Sequence, residues 1–321
     1  MRWVRYWYTL TESVGALWYI LSQYALRKRW VEQALPPLAA HERRRLRQYL
    51  PVFLLIEYLY ARLRGKALDQ EMRYRATLLA ALTPFFDDLT DLSDYSSGQI
   101  HRLVQGSTEH DLPAARYCAA LFQAGGFQWS AAWERVVQAQ LSSRQQTQTG
   151  LSEAQLMQLT AEKGGASVVL GWEVIAGKEG GDAVRQLSES FGYFAQLLND
   201  IFDVWKDLQA GIHTLATDAP ALSVIAHRYH DAFDKLTQDL SATPWRRSGQ
   251  QRILALLVVL YALGATALHR WRATPPPFSP QQYSRRQLVC DMAQWSNRLY
   301  WAWEILRWPA SHGANREDIN I

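Results

Sequence analysis

Apolar residues recur at three- and four-residue spacing through long windows of the chain. No convincing strict alternation of apolar and polar positions is bounded by turn residues, so the pattern predicts helices and no strands. The windows run over Tyr6–Ala34, Leu46–Leu63, Glu71–Leu82 (continuing into the acidic residues that follow), Leu112–Gln123, Trp129–Gln146, Ser152–Gly177, Asp182–Leu208, Ala219–Leu240, Gln250–Trp271 and Pro280–Arg307. Pro36-Pro37, Gly125-Gly126, Gly180-Gly181, Pro244 and Thr274-Pro275-Pro276-Pro277 fall between windows, where helix breakers belong. There is no long or low-complexity linker and no internal repeat, so one all-α domain over 1–321 is the simplest division. The apolar run Ile253–Leu268 falls short of the about 20 residues a bilayer span requires. It also contains Tyr261, Gly264 and Thr266, which predicts a buried central helix. The first thirty residues mix Arg with Trp and Tyr at helical spacing. That composition suits a helix packed on the domain, and it also admits peripheral contact with a membrane surface.

Composition narrows the field. A formal net charge of +4 over 321 residues is small, and no concentrated basic stripe marks a nucleic-acid binder. Cys118 and Cys290 are the only cysteines, with no C-x-x-C. A disulfide framework and a zinc site are not expected, and a reducing cytoplasm fits. The start, Met1-Arg2-Trp3-Val4-Arg5-Tyr6-Trp7-Tyr8, has neither a clean apolar core nor a small-residue cleavage site, so no signal peptide is expected. The aromatic content is high, with 14 Trp and 15 Tyr. Those rings fill a core and interfaces or line a cavity for an apolar or cationic ligand.

Two acidic clusters carry the chemistry. Asp87-Asp88-Leu89-Thr90-Asp91 follows the apolar Leu78–Leu82 and Phe85-Phe86. Asn199-Asp200-Ile201-Phe202-Asp203-Val204-Trp205-Lys206-Asp207 follows the apolar Phe191–Leu198. On a helix, Asp87 and Asp91 share a face, and Asn199, Asp203 and Asp207 form a stripe at i, i+4 and i+8. Stacked carboxylates need solvent, basic partners or a cation to offset their repulsion. Hard oxygen donors without His or Cys select Mg2+, which keeps waters and completes its shell with substrate phosphates. The residues by themselves therefore predict a Mg2+-diphosphate site between two facing helices.

Asp87-Asp88-Leu89-Thr90-Asp91 resembles the D-D-x-x-D motif of class I isoprenoid synthases, the terpene cyclases and trans-prenyltransferases. The second cluster resembles the cyclase motif N-D-x-x-[ST]-x-x-x-[ED], with Asp203 in place of Ser/Thr. It is also similar to the second D-D-x-x-D of prenyltransferases, with Asn199 in place of the first Asp. Lys163-Gly164-Gly165-Ala166 and Phe194-Ala195-Gln196 are similar to the prenyltransferase K-T and F-x-Q elements. The Arg-Arg pair that follows the first motif in chain-elongating enzymes is absent, since the sequel is Leu92-Ser93-Asp94-Tyr95-Ser96-Ser97-Gly98. Gly65-Lys66 lacks the pattern of their isopentenyl diphosphate element. The D-x-x-x-D pairs of head-to-head synthases fit Asn199 less well.

The resemblance implies a single antiparallel helical bundle with a deep central active-site cavity. It implies a terpene synthase that ionises a linear allylic prenyl diphosphate and converts the cation to a terpene. A chain-elongating trans-prenyltransferase is the alternative. Asp87, Asp91, Asn199, Asp203 and Asp207 are then the catalytic metal ligands for Mg2+ ions, three in such enzymes, with Mn2+ as a substitute. Asp88 and Asp200 orient those ligands or nearby basic residues. Lys206, Lys163, Arg298 and Tyr300 are the candidates for diphosphate contact. Phe85, Phe86, Phe194, Trp172 and Trp295 are candidates for the pocket wall, and Phe85 and Phe86 for limiting chain length. The expected partners are the substrate and a second copy in a homodimer.

Overall fold

The computed structural model describes residues 2–91, 95–106, 112–176, 181–274 and 277–311, with side chains from 7 to 308 within those ranges. Leu92-Ser93-Asp94, Gly177, Gly180, Pro275 and Pro276 lie outside the described residues.

Twelve α-helices account for most of the described residues, and none of these is in a strand. They are α1 (Arg2–Ala34), α2 (Ala40–Arg64), α3 (Gln70–Asp91), α4 (Ser97–Val104), α5 (Pro113–Ala124), α6 (Ala131–Ser143), α7 (Glu153–Ala176), α8 (Gly181–Ala210), α9 (Leu222–Ala242), α10 (Arg247–Trp271), α11 (Arg285–Leu288) and α12 (Trp295–Ser311). Two 3-10 turns, Arg144–Thr147 and Pro280–Gln282, complete the set. The all-α expectation holds.

Two differences from the predicted windows have local causes. The short α4 is an addition, started by Ser96, whose backbone N–H and hydroxyl both donate to Gln99 Oε1 at 2.8 and 2.9 Å. The window Pro280–Arg307 is broken into three pieces. Side chains of α10 and of the start of α12 take carbonyls that a continuous helix would have used. Arg270 Nη2 donates to the Arg286 carbonyl at 2.6 Å and Trp271 Nε1 to that of Leu288 at 2.8 Å. Asn297 Nδ2 donates to the Asp291 carbonyl at 2.8 Å and Arg298 Nε to that of Met292 at 2.7 Å. The exits from the ladder are thereby satisfied rather than orphaned.

The helices gather into two compact units. One comprises Ser13–Ser142 and Ala166–Gly181. Its core is built on α3, where Leu78, Leu79, Leu82, Phe85, Phe86 and Leu89 are buried together with residues of α4, α5 and α6. Arg27 of α1 is fully buried and ion-pairs with Glu57 of α2 at 3.0 Å while its other arm donates to Thr77 of α3 at 3.1 Å. Tyr19 donates to the same Glu57 carboxylate at 2.9 Å. Burial pushes the Glu57 carboxyl up, and Arg27 pulls it back down.

The other unit comprises Met1–Glu12, Ser143–Gly165 and Asp182–Ile321. Its centre is aromatic: Phe194 stacks on Tyr229, which stacks on Tyr261, and Phe233 and Trp308 close around them. The Tyr229 hydroxyl donates to the Tyr261 carbonyl at 3.1 Å beside Gly264, where a Cβ would collide with the tyrosine ring. Helix α10 is long and apolar enough to cross a membrane, but 67% of its apolar window is buried in protein, as the central-helix reading expects.

Candidate metal-diphosphate residues

The first acidic cluster ends α3. Its first carboxylate, Asp87, is half-buried and held from two neighbouring helices. Tyr49 of α2 donates its hydroxyl to Asp87 Oδ2 at 3.1 Å, and Gln140 Nε2 of α6 donates to Oδ1 at 3.3 Å. Burial, and then the Asp87 charge, raise the Tyr49 phenol well above its ordinary range, so it remains a proton donor. Asp88 points elsewhere: Arg45 of α2 ion-pairs with it and also donates to the Pro84 carbonyl at 2.8 Å. Asp91 is exposed at the helix end. Phe85 and Phe86 point into the core, where Phe85 meets Tyr117 at 4.8 Å and Phe86 meets Trp133 at 6.1 Å between centroids. Trp172 of α7 sits edge-on to Tyr60 at 4.4 Å.

The second cluster lies on α8. Asp200 is 2% exposed and Asp207 8%, Asp203 is half-buried, and Asn199 is exposed. Asp200, Asp203 and Asp207 fall at i, i+3 and i+7 and lie on one side of the helix. Gln196 Nε2 holds Asp200 Oδ1 at 2.8 Å, but Asp200 Oδ2 is buried with no hydrogen-bond partner. An orphaned buried carboxylate oxygen is costly. Burial pushes the Asp200 carboxyl up from 3.8 to about 7, and the Asp207 and Asp203 charges add to the rise. Asp207 rises to about 6, again from burial first and then Asp203.

Lys163 lowers both values, so its ammonium acts on this stripe from α7. Its placement has a backbone cause. Gly164 of α7 and Gly192 of α8 touch backbone to backbone, and a Cβ on either would run into the other helix. Only glycines let the two axes approach this closely, and the approach carries the residue beside Gly164 toward α8. Lys206 is exposed and pairs with Asp203 at 3.2 Å, one turn along the same helix. Such a surface pair is worth little.

The remaining sequence candidates make other contacts. Phe194 is in the aromatic core described above. Arg298 is exposed, with its Nε committed to the Met292 carbonyl. Tyr300 stacks on His269 with centroids 3.8 Å apart. Trp295 is 73% exposed. A cleft of about 400 Å³ opens among α7, α8 and α9, but beside Tyr193 its lining is charged, with Glu189, Arg228, Asp231, Lys235 and Asp239.

Sequence reasoning had not assigned roles to Tyr49, Gln140, Arg45 and Gly192. Nothing in their local sequence distinguishes them from ordinary helix residues. Gln196 alone was visible, within Phe194-Ala195-Gln196.

Among the described residues no three His, Cys, Asp or Glu side chains form a preassembled metal cluster. The donor set and the orphaned Asp200 oxygen nevertheless suit a hard cation that takes one or two carboxylates and completes its shell with water and phosphate. Comparison of the chain with family models, with curated proteins and with solved structures returns no match.

Proposed function

We propose that the protein is a class I terpene synthase that ionises a linear allylic prenyl diphosphate, releases diphosphate and lets the cation cyclise or eliminate. The observation that carries this reading is the α8 stripe: three stacked carboxylates, two of them buried, with one oxygen orphaned and a lysine beside them. Solvated acidic faces do not bury their carboxylates. Asp203 and Asp207, with Asn199 at the exposed edge and Asp200 beneath, would hold Mg2+ on this helix, as Asp87 and Asp91 would on α3. Bound Mg2+ supplies Lewis-acid neutralisation of the departing diphosphate.

The chain's own side chains do the rest. Tyr49 and Gln140 fix the Asp87 carboxylate, and Gln196 fixes that of Asp200, so the oxygens are oriented before substrate arrives. Arg45 neutralises Asp88 and leaves Asp87 as the inner ligand. Lys163 offers an ammonium to a diphosphate oxygen.

The Gln196–Asp200 contact and the nearby Lys163 also favour a second reading, chain elongation, because both lie in the segment that is similar to prenyltransferases. Co-substrate dependence separates the two. Purified protein is incubated with geranyl, farnesyl, geranylgeranyl and geranylfarnesyl diphosphates, with Mg2+ or EDTA, with and without isopentenyl diphosphate. Products are identified by gas chromatography–mass spectrometry. A Mg2+-dependent hydrocarbon or alcohol from one substrate alone is expected. A longer diphosphate that appears only with isopentenyl diphosphate selects elongation, and no product under any condition overturns both.

A further inference from the structure

The cleft of about 400 Å³ among α7, α8 and α9 lies within one compact unit and carries an excess of acid. Asp231, Lys235 and Asp239 of α9 line it at i, i+4 and i+8, so they share one face of that helix. Its bases are matched: Arg228 ion-pairs with Glu153, and Lys235 with Asp239 Oδ1 at 2.5 Å. Glu189, which lines the cleft from α8, pairs with Arg185 at 3.5 Å. Asp231, which is exposed, is the acid these pairs leave over. A second observation points the same way. Asp239 is 5% exposed, and its Oδ2 is buried with no hydrogen-bond partner while Lys235 holds only Oδ1. A buried carboxylate oxygen in that state is costly, and a donor brought by a ligand would relieve it.

We propose that this cleft binds a linear aliphatic polyamine, with one ammonium group at Asp239 and another at Asp231. The two carboxylates are two turns apart on α9, a rise of about 12 Å at 1.5 Å per residue. Met157, Ala161 and Ala232 offer apolar surface to the methylene chain, and Tyr193 offers a ring face to a cation. The volume falls in the range of small-molecule sites, about 300–1,000 Å³. An anion is a poorer occupant. It would have to draw Arg228 from Glu153 or Lys235 from Asp239, and would then sit beside Asp231. A metal ion is poorer too, because among the described residues no three His, Cys, Asp or Glu side chains converge to hold one. The proposal does not rest on the terpene synthase reading.

The test is isothermal titration calorimetry of the full chain at fixed ionic strength. Mg2+ is present throughout, to occupy the carboxylates of α3 and α8. Spermidine should bind at one site about tenfold or more tighter than putrescine, whose ammonium groups are too close together to reach both acids. Asp239→Asn and Asp231→Asn should each weaken spermidine about tenfold, the loss expected for one charge-assisted hydrogen bond. Circular dichroism and Tm should be unchanged in Asp231→Asn, whose side chain is exposed, so that variant decides the matter if Asp239→Asn unfolds. Asp203→Asn should leave spermidine binding as it is. The proposal is overturned if spermidine does not bind, if putrescine binds as tightly, or if Asp231→Asn keeps wild-type affinity. It is equally overturned if Asp203→Asn abolishes the binding, which would place spermidine on the α8 stripe.

Discussion

A carboxylate buried beside two others sets the chemistry of α8 at the residue scale. Asp200 and Asp207 have native values near 7 and 6 against an unfolded value of 3.8. The folded protein thus holds protons that the unfolded chain has already released between about pH 4 and 7. Stability contributed by the protonated forms is complete below pH 4 and is lost as pH rises through 6 to 7, by on the order of a few kcal/mol for the coupled stripe. Thermal melts of metal-free protein should therefore show Tm falling across that range and levelling above it. In Asp200→Asn, which keeps the shape and removes the charge, the fall should be shallower. A wild-type Tm that is flat or rises between pH 5 and 7 would contradict the assignment. Addition of Mg2+ at pH 8 should raise the wild-type Tm more than that of Asp200→Asn. On the α3 side, Asp87→Ala should reduce turnover at least a hundredfold with the fold retained, since about 2.7 kcal/mol of transition-state stabilisation corresponds to that factor. The second cluster was legible in sequence as residue types at a spacing, but its ordering was not. Spacing treated Asn199, Asp203 and Asp207 as one stripe, whereas burial singles out Asp200 and Asp207, because depth depends on what packs over each turn.

Helix contacts decide how those residues are presented. The α7–α8 crossing depends on Gly164 meeting Gly192, so Gly192→Ala forces the axes apart. Overpacking of this kind costs about 1–3 kcal/mol, and it should also weaken the influence of Lys163. Urea titration should show a lower midpoint at unchanged slope, and a variant as stable as wild type would show that the contact yields. The Arg27–Glu57 pair ties α1, α2 and α3 at a buried point. Glu57→Ala strands a buried guanidinium and should cost about 3–5 kcal/mol, read from the same titration. Helices themselves were largely readable from the apolar period, and their ends from glycine and proline. The α11–α12 break was not, because the side chains that donate to its freed carbonyls, Arg270 and Trp271, come from α10.

For the whole molecule, two compact units each carry a core: one around α3, where leucines pack with Phe85, Phe86, Phe122 and Trp133, and a stacked aromatic one around Tyr229 and Tyr261. Gly192 and Glu57 lie in different units, and the contacts described for them involve different residues. Their costs should add within about 0.5 kcal/mol in the double variant, and a larger interaction measured by denaturant titration would show coupling between the units. The sequence by itself determined the all-helical class, most helix bounds, the two oxygen-rich clusters and the hard-cation chemistry they suit. Those follow from periodicity, breakers and residue type, all local properties of the chain. Only the tertiary structure decided which carboxylates are buried, which donors hold Asp87, how close α7 comes to α8, and that a charged cleft opens among α7, α8 and α9. Burial, pKa and exposure are set by neighbours distant in sequence, and no local pattern encodes which residues those will be.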